Sequence, residues 1–289
     1  MRVANKTVYD AAKFNLANIQ EQLYKANQVV ASGKRITTLS DDPVGLAQLL
    51  HVKSALSNLE QLGRNISMGK SWLAASESSL SQAQDIISDA RALCVQMLKG
   101  TIDPGQQASA ATMVQNHIDE IVSLGNTEVN GQYVFAGWNT DTVPFGQDGT
   151  YHGDNHAFTI KIGNDTAVEI GADGEALFQD LFTTMTGLKE ALEDNDVEGI
   201  QASMTNLDID FDRITTKISD IGSKVLHMET KETIFQEVTI SNTQRLSEIE
   251  EADMAAAIID LESRGVVYQA ALASSARIMQ LSLVNFLSQ

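Results

Sequence analysis

Apolar residues recur at alternating three- and four-residue intervals through most of this chain. Near the N-terminus the stripe runs Tyr9, Ala12, Leu16, Ile19, Leu23, Ala26 and Val30, with mostly Asn, Gln, Lys and Ala between. Such spacing draws a narrow seam along one side of a helix. A helix with one seam and no second apolar face cannot bury a core alone and requires a partner helix. After an irregular link, Asp42 as N-cap and Pro43 at the first helical position start a second helix. Its seam runs from Leu49 through Val52, Leu56, Ile66, Leu73, Leu80, Ile87 and Cys94 to Met97. At about 55 residues that helix would be ~80 Å long. Gly63 and Gly69 lie on this seam and are expected to admit a close neighbour. Cys94 lies on it too and reads as a small buried hydrophobe rather than a reactive thiol. The pair Asp41-Asp42 reads as a helix cap rather than as acid–base chemistry.

The turn signal Thr101–Gly105 leads into a shorter seam (Ala111, Val114, Ile118, Ile121, Leu124) expected to return antiparallel to the helix before it. From Asn130-Gly131 the pattern changes to glycine-rich β alternation. Phe158, Ile160 and Ile162 share one face, and Val168 with Ile170 do so after the turn Gly163-Asn164-Asp165. Within this insertion His152, Asp154 and His156 alternate as metal ligands can. Gly153-Asp154-Asn155 is also a tight-turn sequence, and the turn is the preferred reading. Helix returns near Glu175, with Phe178, Leu181, Met185, Leu188 and Leu192 on one side, and breaks at Glu193–Asp196. The longest seam follows, from Ile200, Leu207, Ile214, Ile221 and Met228 to Leu246 and Ile249. The last segment keeps the spacing through Ile258, Leu261, Gly265, Tyr268, Leu272, Met279 and Phe286. It also carries apolar residues off the seam, so it expects neighbours on several sides.

Charge follows the same division. The chain holds 20 basic and 38 acidic residues, a net charge of −18. Residues 1–35 carry six basic side chains against Asp10 and Glu21, and residues 263–289 carry Arg264 and Arg277 with no acid. The acidic excess therefore lies between two mildly basic, apolar ends. A chain of this charge is repelled by phosphate backbones, so nucleic acid is not an expected partner. No segment is apolar enough for a membrane span, and the two cations of the last segment make a poor membrane-surface helix. The N-terminus carries no Sec-type signal pattern. One cysteine excludes an intramolecular disulfide, and the three prolines suit long helices. No phosphate-binding, nucleophile-elbow or zinc-protease motif occurs, so neither catalytic residues nor cofactors are expected.

Ser32-Gly33-Lys34-Arg35-Ile36, followed by Ser40-Asp41-Asp42-Pro43-Val44-Gly45, resembles the N-terminal signature of the bacterial flagellin family. Flagellin itself usually carries Ala where Pro43 stands, and the form with Pro resembles the family's junction branch. Gly131–Gly137, Pro144-Phe145, and Tyr151 with Gly153-Asp154 resemble the opening of that branch's insertion. Asp253-Met254-Ala255 and the ending Ala276–Leu287 resemble its C-terminus.

The resemblance implies a mainly α fold: a long antiparallel helical bundle or coiled coil made by pairing the N- and C-terminal segments, with a small antiparallel β insertion. It implies a paired terminal coiled-coil domain of residues 1–42 and 250–289, a helical rod of 43–130 and 175–249, and an insertion of 131–174. The function implied is that of a structural subunit, not an enzyme, joining the flagellar hook to the filament. Its partners would be hook-associated protein 1, flagellin and a ring of its own copies. It would leave the cell through the flagellar type III export apparatus, with a FlgN-type export chaperone and without a cleaved signal peptide. The terminal helices would order only on assembly, through Leu16, Ile19, Leu23, Ile258, Leu261, Leu272, Met279, Leu283 and Phe286. The alternatives are flagellin itself and, from another class, an enzyme with a site in the β insertion.

Overall fold

The computed structural model describes residues 2–99, 104–156, 158–163 and 165–287, and their side chains except at 2–5, 8, 104 and 278–287. Among the described residues six helices carry the fold: α1 (Arg2–Ser32), α2 (Pro43–Met97), α3 (Pro104–Gly125), α4 (Asp180–Glu193), α5 (Val197–Glu250) and α6 (Met254–Leu287). A single π-helical turn, Glu175–Gln179, leads into α4. Two small antiparallel hairpins complete it: β1 (Glu128–Val129) with β2 (Gln132–Tyr133), and β3 (Thr159–Lys161) with β4 (Ala167–Glu169). The chain is mainly α with a small β insertion. It forms two compact units, one of Met1–Asn58 with Val238–Gln289, the other of Leu59–Glu237.

In the second unit the heptad repeat becomes a core. Ile66, Leu73, Leu80, Ile87 and Cys94 on α2 are buried at seven-residue intervals, as are Ile200, Leu207, Ile214, Ile221 and Met228 on α5. The two helices run antiparallel here. Arg91 pairs with Asp208 at 2.6 Å, Gln84 donates to the Thr215 hydroxyl at 2.8 Å, and Lys70 pairs with Glu232 at 3.1 Å. Gly69 is a close approach, since a Cβ there would meet Met228 Cε at 2.9 Å, whereas Gly63 has nothing near it. Among the described residues no neighbour makes a close approach at Gly63. A second heptad row on α2, Trp72, Ser79, Ile86 and Leu93, is buried as well. Ser79 shares a 2.7 Å hydrogen bond with Thr127, just past α3, so α3 returns along α2. Part of the turn Thr101–Gly105 lies outside the described residues.

The insertion packs through aromatic side chains. Phe135 and Phe145 stand edge-on to Phe178, with centroids 5.0 and 5.7 Å away, and Trp72 tilts against Phe158 at 5.6 Å. Asn130 and Gly131 both have positive φ, as the tight β1–β2 turn requires. Ile160 pairs with Val168 across the second hairpin, and both are buried. The Asp154 carboxylate accepts the backbone N–H of Trp138 and of His156, each at 2.9 Å. Its carboxyl is held below the usual range chiefly by the Trp138 amide. Here it pins a turn. Among the described residues no group of three or more His, Cys, Asp or Glu is placed to hold a metal ion.

The first unit consists of α1, the link after it, the start of α2, the end of α5, and α6. No helix among the described residues is long and apolar enough to cross a membrane.

Candidate assembly interface

α1 and α6 form an antiparallel pair. Lys34 bridges to Glu251 at one end, Arg264 Nη1 donates to Gln22 Oε1 at 3.1 Å in the middle, and Ser275 lies beside Ala12 and Leu16 towards the other. The inward stripe of α1 is Ala12, Leu16, Ile19, Leu23, Ala26 and Val30, which are half-buried except for the fully buried Ala26. The inward stripe of α6 is Ala257, Leu261, Gly265, Tyr268, Ala271 and Ser275, all half-buried. Two helices in contact along one seam leave their other faces open, and on α6 those faces are apolar. Ile259 is 68% exposed and Val266 66%, while Met254, Ile258, Val267 and Leu272 are exposed as well. On α1, Phe14 and Tyr24 are similarly exposed. A surface with this many large apolar side chains on adjacent turns marks an interaction site.

Leu16, Ile19, Leu23 and Leu261 thus meet on the seam between the two helices, whereas Ile258 and Leu272 sit on its open flank. The side chains of Met279, Leu283 and Phe286 lie outside the described residues. Two of the inward places on α6 belong to Ala257 and Ala271, which the periodicity did not single out. Both phases satisfy the three–four rule, and a helix apolar on most sides offers no polar face to choose between them. Gly265 has nothing within 4 Å of where a Cβ would stand, so among the described residues it makes no close approach.

The link between α1 and α2 is tightly bonded. Gly33 takes φ +70°, ending α1 in the left-handed region that glycine adopts without strain. Asp41 Oδ2 accepts the Thr38 amide at 2.8 Å, the Thr37 amide at 3.1 Å and the Thr37 hydroxyl at 3.0 Å. Asp42 Oδ1 accepts the Gly45 amide at 2.8 Å, the N-cap of α2. Both carboxyls are held below the usual carboxylate range, Asp41 chiefly by the Thr38 amide and Asp42 chiefly by the Gly45 amide. Neither is poised to take up a proton near neutrality. A Cβ at Gly45 would come within 2.6 Å of Ile36 Cδ1, and Ile36 is itself buried. The Gly-Lys-Arg-Ile and Asp-Asp-Pro-Val-Gly runs are therefore two halves of one elbow.

Glu250 completes that elbow, and nothing in the sequence pointed to it. It ends α5 as one of several neighbouring acids, and its lysine partners are remote in the chain. Lys34 Nζ lies 2.6 Å and Lys53 Nζ 3.1 Å from its Oε1. The Lys34 bond, then that to Lys53, holds the Glu250 carboxyl below its usual range against the opposing effect of burial.

Residues 3–140 match the model of the bacterial flagellin N-terminal helical region. Over 95% of both chains, the protein is 26% identical to flagellar hook-associated protein 3 of Salmonella typhimurium. Against flagellin of Escherichia coli it is 29% identical, but over 55% of this chain and only 31% of that flagellin. The crystal structure of Bacillus cereus FlgL superposes with a TM-score of 0.62, covering 68% of this chain and 99% of that one at 24% identity. With a match to the flagellin N-terminal helical region, the same fold as FlgL and similarity along nearly its whole length, the chain is similar to flagellar hook-associated protein 3.

Proposed function

We propose that this protein is a structural subunit of the bacterial flagellum at the junction between hook and filament. It would join hook-associated protein 1 on one side to flagellin on the other, as a ring of identical copies outside the cell. The observation that carries this reading is the similarity to hook-associated protein 3 over 95% of both chains, against 31% coverage of flagellin. The physical arrangement supports it. The first compact unit carries ten basic and ten acidic residues, the second ten basic and twenty-eight acidic. Copies can therefore meet through the neutral, apolar α1–α6 pair, while the charged unit favours solvent. In this reading the terminal pair forms the inner wall, and α1 and α6 order fully only against neighbouring copies. Export would run unfolded through the flagellar type III apparatus with a FlgN-type chaperone. The lack of disulfides and the scarcity of proline favour such threading.

Deleting the gene tests this. Loss of motility, with hooks intact and flagellin shed into the medium, is the expected result, and re-expression should restore attached filaments. Normal filaments on the deletion strain would overturn the proposal. Flagellin itself is the second reading, favoured by the half-chain match to it. Purified protein that grows long filaments alone would support that reading instead.

A further inference from the structure

Glu250 is 9% exposed, yet it is an acid tied to two lysines from different segments. Three further bonds close around it. The Arg35 amide donates to the Glu250 carbonyl at 2.7 Å, the Arg35 guanidinium to the Ile249 carbonyl at 3.1 Å, and the Ala252 amide to the Gly33 carbonyl at 2.9 Å. The link after α1 and the first part of α2 thus converge on one carboxylate, and the link into α6 is tied to the link after α1 beside it. Arg35 also meets Asp42, the α2 cap, at 3.4 Å. A cleft of about 440 Å³, lined by Gly33, Lys34, Leu246, Glu250 and Met254 among others, opens beside the junction. Apolar packing therefore does not fill the junction, and the polar ties decide its geometry. Lysines that are half-exposed add little stability. A buried carboxylate with its partners in place can instead specify one conformation over others.

On the flagellar reading given above, we propose that Glu250 is a positioning residue. Through Lys34 and Lys53 it fixes the direction in which α1 and α6 leave the ends of α2 and α5, and so presents the apolar face of α6 to the next copy. It makes no contact with that copy itself.

The test uses the full chain with Glu250→Gln and, separately, with Lys34→Met and Lys53→Met together. Amide hydrogen exchange of Arg35 and Ala252 in the monomer should rise at least tenfold in both variants, with exchange in α2 from Leu59 onward unchanged. In cells both should shed flagellin. A charge-retaining Lys34→Arg, Lys53→Arg variant should restore slow exchange and attachment. Unchanged exchange in Glu250→Gln overturns the latch. Faster exchange with normal filament attachment overturns its positioning role. If deleting the whole gene leaves filaments attached, the flagellar reading has failed, and the exchange measurement still decides the latch.

Discussion

Arg213 reaches back one helical turn to Asp210, 3.1 Å away on a side chain only 3% exposed. Asp210 also accepts the Thr184 hydroxyl of α4 at 2.9 Å, and Arg213 continues to Asp180 at 2.8 Å. Burial pushes the Asp210 carboxyl up, against the lowering effects of Thr184 and Arg213. Through Thr184 and Asp180 this buried cluster ties α4 to α5. Removing one partner of such a pair leaves the other uncompensated. Asp210→Ala should destabilise the Leu59–Glu237 unit by about 3 kcal/mol, the low end for a buried pair because Arg213 keeps Asp180. Denaturant unfolding followed by circular dichroism reads this. Asp210→Asn, which keeps an acceptor for Thr184, should lose less.

Leu272 and Val266 lie on the open side of α6, away from the α1 seam. Aspartate at either place should abolish assembly at the flagellum while leaving the melting of the Leu59–Glu237 unit unchanged. Motility and shed flagellin measure the first, and calorimetry the second. Assembly that survives both substitutions would remove the open face of α6 from the interface.

The second unit has its own core, from Ile66 to Met228. A fragment of residues 59–237 should fold into a soluble monomer with one cooperative thermal transition. Limited proteolysis of the whole chain should cut within the terminal helices before it reaches this core. Protected ends in the dilute monomer would show instead that α1 and α6 need no neighbours.

Glu250 gives a pH dependence with a definite sign. Its folded pKa is lowered from the ordinary 4.5. Such a group adds stability above its unfolded value, and that contribution is lost as pH falls through the folded one. A carboxyl-carbon NMR titration should place its midpoint below 4.5, the ordinary value. Lys34→Met and Lys53→Met should each move the midpoint upward, because both lysines lower it.

Cys94 is fully buried on the α2 seam, and burial pushes its thiol up to about 11. A thiolate-dependent disulfide reagent at pH 8 should leave the native protein unmodified over hours and label one thiol per chain once it is denatured. Rapid labelling of native protein would place Cys94 outside the core.

Much of this fold is legible because a heptad repeat is a local property. Ile66 to Cys94 and Ile200 to Met228 repeat every seven residues, and a helix must then present them as one stripe that a second helix can cover. The cap at Asp42-Pro43 and the turn at Asn130-Gly131 are equally local, each set by the φ that its residues favour. Other features lie beyond periodicity. In α6 apolar side chains occupy most faces, so only the placement of α1 decided that Ala257 and Ala271 turn inward while Ile258 and Leu272 stay open. Glu250 finds its lysines 216 and 197 residues earlier in the chain, and no local pattern reports such a meeting. The sequence by itself determined which segments are helices and that the α1 stripe needs a second helix against it, because helical spacing is written residue by residue. The tertiary structure alone decided which face each end exposes and what ties the elbow, because both depend on where distant segments are brought together.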